Sequence, residues 1–119
     1  MTPSTMSYKC GDVVLLPFPF TDLTSTKKRP AVVISSDWFN LNRKDVIVIA
    51  ITSQIPKALT VDELLFSPAE QNLAGLPKKS IVKVTKIVTV DQLLIIKKIG
   101  ICSKQNVRKL KRLLNKFVG

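Results

Sequence analysis

A chain of 119 residues has the length of one domain, with room for a single core. Its 45% hydrophobic content argues against disorder, and 19 Lys and Arg against 8 Asp and Glu leave a net charge of +11, a surface that draws polyanions, nucleic acid first among them. The longest plainly apolar run, Val46 to Ile51, falls far short of the roughly 18 residues of a membrane span, and Met1 to Lys9 lacks the apolar core of a signal peptide, so a soluble, cytoplasmic protein without a membrane partner is expected.

Residues 1–7 are small and polar and read as a flexible extension, with 8–119 as the single domain. Gly11-Asp12 turns into an apolar strand, Val13 to Phe18, whose Pro17 and Pro19 forbid a central ladder position near its end. Arg29 to Ser36 is the second strand, β-branched through Val32, Val33 and Ile34. Asp37 to Lys44 reads as a turn or one-turn helix, and its Trp38 is expected in the core. Asp45 to Thr52, apolar on both faces, is a buried third strand, and Asp62 to Phe66 a short edge strand. Ser67-Pro68-Ala69-Glu70 starts a short helix, with Ser67 as cap, Pro68 at the first position and Glu70 placed for a capping box; Gly75 ends it. Ser80 to Thr85 and Leu93 to Cys102 read as two more strands, the latter broken at Lys97-Lys98, with Thr89-Val90-Asp91 as a tight connection. Ser103 caps a terminal helix with Val107, Leu110, Leu113, Leu114 and Phe117 on one face and Lys104, Arg108, Lys111 and Arg112 on the other, the basic side read as solvated. The fold class expected from this pattern is mainly β with short helices (α+β): a small, strongly bent sheet or barrel closed by a helix.

The chain is organised around the stretch from Pro17 to Ser35, in which a strand runs into a hydroxyl-rich loop ending in Lys27-Lys28-Arg29 and the next strand opens at Pro30. An arginine so placed is anchored by backbone while its planar fork of donors faces whatever the loop encloses, and such forks suit phosphate. Cys10 and Cys102 make neither a disulfide framework nor a zinc set, so no metal site is expected, and each reads as a buried or half-buried thiol. Histidine is absent, which removes the usual acid/base of neutral pH.

Five pieces then stand in register: Gly11-Asp12-Val13-Val14, Pro17 to Asp22, Lys28 to Ser35, Ile51-Thr52-Ser53-Gln54 and Leu76-Pro77-Lys78-Lys79-Ser80-Ile81-Val82. Together, from Lys9 onward, they resemble the MazF/PemK family of toxins from bacterial toxin–antitoxin pairs. The resemblance implies a small SH3-like barrel of the MazF/CcdB type with a C-terminal helix and a homodimer. It also implies a sequence-specific, metal-independent endoribonuclease that needs no cofactor and cuts single-stranded RNA, and a cognate antitoxin whose acidic tail covers the RNA-binding groove. The family's catalytic arginine and threonine fall on Arg29 and Thr52, the arginine in an acid/base role. The pair suits a reaction in which a ribose 2′-OH attacks the adjacent phosphorus, because a guanidinium and a hydroxyl can stabilise the added charge on phosphoryl oxygens. Arginine, however, keeps its proton in proteins, which favours it as a donor over a base.

Around this pair, Phe18 and Phe20 can stack an extruded base. Thr21, Asp22, Lys27, Lys28, Ser53 and Gln54 are further RNA-binding candidates. Lys78 and Lys79, with Lys83 and Lys86, can track phosphates. The alternative is a non-catalytic relative of the same fold, which binds a protein target such as gyrase or serves only as an RNA-binding module. Thr85-Lys86-Ile87 stands where the family often carries an acidic or amide residue before the isoleucine, a departure that bears on sequence preference.

Overall fold

A computed structural model describes residues 7–17 and 27–119. Six antiparallel strands form one sheet in the order β4-β5-β3-β2-β1-β6, with β1 Asp12–Pro17, β2 Lys28–Val33, β3 Asp45–Thr52, β4 Glu63–Leu65, β5 Ile81–Asp91 and β6 Lys97–Ile101. Three helices accompany it: α1 Asp37–Asn42, α2 Pro68–Leu73 and α3 Lys104–Val118. Among the described residues no helix is long and apolar enough to cross a membrane.

Because successive strand residues point to opposite faces, the β-branched runs of β1, β2 and β3 bury both sides of the sheet. One face packs Val13, Val32, Ile49, Ile51 and Val82 with Phe66 and with Leu110 of α3, flanked by Val107, Leu113 and Leu114. The other packs Val14, Leu16, Ala31, Val33, Val46, Val48, Ala50, Val90 and Ile95. The bent, mainly β fold with a closing helix is thus the one expected, and its sheet is not closed: among the described residues the edge strands β4 and β6 share no ladder. Instead α2 lies against β6, so closely that a Cβ on Gly75 would stand 1.9 Å from the Ile99 carbonyl oxygen and one on Gly100 would stand 2.3 Å from the Ala74 carbonyl carbon.

The helix starts form as their sequences require. Ser36, Ser67 and Ser103 each accept a hydrogen bond from a backbone N–H three residues on, and Gly75 leaves α2 with a φ of +70°. Glu70 does not complete a capping box; its carboxylate accepts the Ser103 hydroxyl at 2.5 Å and ties α2 to the start of α3.

Several expectations give way. Thr89 to Asp91 is no connection but the end of β5, an 11-residue strand in which Val90 pairs with Val46 and Asp91 with Asp45. The turn comes after it, as a 3-10 turn over Gln92–Leu94 fastened by the Gln92 side-chain amide, which donates to the carbonyls of Asn40 (2.8 Å) and Arg43 (3.1 Å). The last strand is accordingly Lys97–Ile101, and Lys97-Lys98 lies within it: the two pair with Leu15 and Val14, and Lys98 reaches the Asp12 carboxylate at 3.2 Å. Trp38 is 68% exposed. The residue that α1 buries is Asn40, which bonds Ser35 through both its side-chain amide and its side-chain oxygen, so the inward side of α1 is polar and the indole is left outside. Phe117, expected on the apolar face of α3, is likewise exposed, one turn beyond the point where Leu113 and Leu114 meet the core. β2 ends at Val33, before the expected Ser36, because the Ser35 hydroxyl accepts the Ile47 N–H and takes the ladder's place there.

Candidate active site

Arg29 lies in β2 opposite Leu16 of β1, and Thr52 is the last residue of β3. Between β2 and β3, Ala31 pairs with Ala50, Val32 with Ile49 and Val33 with Val48, and the same register carried two residues outward sets Arg29 opposite Thr52. Both side chains then share the face of Ala31 and Ala50. Two alanines behind a guanidinium and a hydroxyl leave a hollow. Arg29, Ala50, Ile51, Thr52, Gln54, Lys83 and Lys86 line a cleft of about 190 Å³.

The lysines arrive by an irregularity. Ile49 pairs with Ile87 and Ile51 with Val82, so β3 spends one residue, Ala50, where β5 spends four, Lys83 to Lys86. In a regular strand, positions three apart point to opposite faces; this bulge turns Lys83 and Lys86 onto the same cleft. The residues that open β4 hold it. The Asp62 carbonyl accepts the Val84 N–H at 2.9 Å, the Asp62 carboxylate accepts the Thr85 hydroxyl at 2.8 Å, and Glu63 pairs with Lys83 at 3.4 Å. Hydrogen bonds from the Thr60 and Thr85 hydroxyls hold the Asp62 carboxyl below the usual carboxylate range, and the Thr60 N–H, at 2.9 Å, does the same for Glu63.

Thr52 is half-buried, and its Oγ1 accepts the Gln54 N–H at 3.1 Å, which fixes the side chain and leaves the hydroxyl proton free to be donated. Arg29 is half-buried too. Among the described residues the lining therefore offers a planar cation, two ammonium groups, a hydroxyl and an amide, and no carboxylate. That set stabilises negative charge on a group such as phosphate.

Of the residues singled out in the sequence, Arg29, Thr52, Gln54, Lys83 and Lys86 come together here. Ser53, Lys27 and Lys28 are exposed near the strand ends and do not line the cleft, and Lys78 and Lys79 are exposed in the connection from α2 to β5. Phe18, Phe20, Thr21 and Asp22 lie outside the described residues. Ala50 and Ile51 were not anticipated in the lining. Their signal was one alanine in a run otherwise made of valine and isoleucine.

Residues 9–118 match a family described as PemK-like, MazF-like toxin of type II toxin-antitoxin system. The chain belongs to this PemK/MazF toxin family. Solved structures similar to it include MazF of Deinococcus radiodurans (TM-score 0.76, 16% identity, 95% of this chain and 97% of that one). A MazE–MazF complex from the same organism matches with a TM-score of 0.73, 18% identity and coverage of 95% and 96%. An endoribonuclease in complex with its cognate antitoxin from Mycobacterial species matches at 0.72, 16% and 92% of each chain. At these identities the likeness is one of fold. No curated protein matches the chain by sequence. Within the PemK/MazF toxin fold, the cleft lies where β2, β3 and β5 come together.

Proposed function

We propose that this PemK/MazF toxin is an endoribonuclease that cuts single-stranded RNA at specific sequences, without a metal ion or cofactor, at the phosphodiester seated between Arg29 and Thr52. The observation that carries the reading is the meeting of those two side chains in one cleft with Lys83 and Lys86. The ribose 2′-oxygen attacks the neighbouring phosphorus, the bond from phosphorus to the 5′-oxygen breaks, the proton lost from the 2′-OH is balanced by one gained at the leaving oxygen, and the products are a 2′,3′-cyclic phosphate and a 5′-hydroxyl. Arg29 and the Thr52 hydroxyl donate to the non-bridging oxygens as charge builds on them. Lys83 and Lys86 neutralise the flanking phosphates, and Gln54 reads a base edge. Three cations, with no carboxylate lining the cleft among the described residues, make a poor seat for a divalent ion and a good one for the substrate's own charge. The working form is a cytoplasmic homodimer, and the antitoxin covers the cleft with an acidic segment whose carboxylates take the places of the phosphates.

The purified protein is expected to cleave single-stranded RNA in EDTA and to leave cyclic-phosphate ends, read by mass spectrometry of the fragments. Cleavage that appears only with added Mg²⁺ would overturn the proposal, and RNA binding without cleavage would make the chain a non-catalytic relative.

A further inference from the structure

The terminal helix carries more charge than its packing explains. The 15 residues of α3 include Lys104, Arg108, Lys109, Lys111, Arg112 and Lys116 and no acidic residue, so 6 of the chain's 19 cations and none of its 8 acids are here. All are exposed, and the ion pairs formed among the described residues, Lys83 with Glu63 and Lys98 with Asp12, involve none of them. Lys104, Arg108, Arg112 and Lys116 fall four residues apart, and a rise of 1.5 Å per residue makes them one row with a cation about every 6 Å. Like charges at that interval repel. Lys104 also stands in the first turn, at the positive end of the helix dipole, and the carboxylate nearest that end, Glu70, is engaged by the Ser103 cap. A face that served only solubility would interleave carboxylates with these cations. A file of phosphates along the row relieves the repulsion instead.

The row is well separated from the cleft. Leu110, with Val107, Leu113 and Leu114, packs on the sheet face of Val13, Val32, Ile49 and Ile51, whereas Arg29 and Thr52 belong to the face of Ala31 and Ala50. A short RNA seated in the cleft engages one surface; a long one can engage both. We infer that α3 is a second RNA site, a sequence-independent track for the sugar-phosphate backbone that holds flanking RNA while the cleft takes the segment to be cut. The choice of RNA as the polyanion rests on the cleavage reading above, and two of the four row positions are arginines, whose forks suit phosphate oxygens.

The test measures binding, so that it stands apart from cleavage. The probe is 2′-O-methyl poly(U), which cannot be cut through its 2′-oxygen, as a strand of about 40 nucleotides and as one of about 8, titrated by fluorescence anisotropy across a salt series. In the variant Lys104→Gln, Arg108→Gln, Arg112→Gln, Lys116→Gln, whose new residues are good helix formers, the slope of log affinity against log salt for the long strand is expected to fall by about 3. The wild-type protein then loses about 50-fold more affinity than the variant between about 50 and 200 mM salt, and the short strand binds both alike. The double variant Arg108→Gln, Arg112→Gln gives about half the change in slope, and serves if the fourfold variant fails to fold. An unchanged long-strand slope, or an equal loss on both strands, overturns the inference. So does poly-glutamate that competes at α3 as well as RNA of equal charge, since the partner would then be an acidic protein segment. If RNA is never cleaved yet the long strand depends on α3, the cleavage reading fails and the second site stands.

Discussion

At the scale of single residues, Arg29 and Thr52 are distinguished from the other polar groups near them by what fixes them. Thr52 is held by the Gln54 N–H and Arg29 is half-buried in the cleft lining, whereas Lys27 and Lys28 are exposed where β2 begins. Arg29→Ala and Thr52→Ala are expected to slow single-turnover cleavage at saturating RNA at least about tenfold, because each removes a donor aimed at developing phosphoryl charge. Lys27→Ala and Lys28→Ala should leave that rate alone, weaken binding, and flatten its salt dependence by roughly one unit for each phosphate no longer neutralised. If Arg29→Ala slows cleavage only below saturation, Arg29 belongs to the basic surface and not to the chemistry. That Arg29 and Thr52 stand at strand ends was legible in the sequence, because β-branched runs fix where β2 opens and β3 closes; that these two form a pair was implied by the family resemblance alone. That the Trp38 indole stands in solvent was not legible, since nothing in Asp37 to Asn42 tells that the one buried side chain of α1 is the amide of Asn40.

At the scale of elements, β5 decides the shape of the site, and it was the least readable part of the chain. Its alternation fails at Lys83 to Lys86, and a failed alternation reads as a strand's end, which is why Thr89 to Asp91 resembles a connection; a bulge leaves the same trace while the strand continues. Asp62 and Glu63 keep that bulge in place as carboxylates, and their folded-state values are depressed. Their contribution is therefore complete above the ordinary carboxylate range and is lost as the pH falls through the folded values. By NMR, the Thr60 amide proton should titrate with Glu63 at a midpoint below the usual ~4.3, and a midpoint at or above that value would contradict the hydrogen bond as the cause. The crossing of α2 over β6 is as exacting. Gly100→Ala would set a Cβ 2.3 Å from the Ala74 carbonyl carbon and 2.6 Å from the Leu73 carbonyl oxygen, all backbone that cannot swing aside. It should cost about 2 kcal/mol and lower Tm by roughly 10 °C in calorimetry, with cleavage by the folded fraction unchanged because the crossing is not part of the cleft lining.

At the scale of the whole molecule, apolar side chains are left over: Trp38, Leu41, Leu93, Leu94, Ile96 and Val118 are exposed after both faces of the sheet are packed. A surface of that kind favours association, and light scattering at micromolar concentration is expected to give twice the chain's 13.2 kDa. A mass of one chain would contradict the homodimer. The sheet order carries a further consequence, for the order of events during synthesis. β1 lies between β2 and β6, with Asp12 paired to Ile101, so the strand made first keeps one open edge until the strand made last has left the ribosome. Lys98, which meets the Asp12 carboxylate, emerges equally late. Pairing across nearly the whole chain is slow to form, because the loop must close before the ladder rewards it. A toxin built this way stays an incomplete sheet through most of its own translation, and a chain that ends before β6 keeps β1 as an open edge.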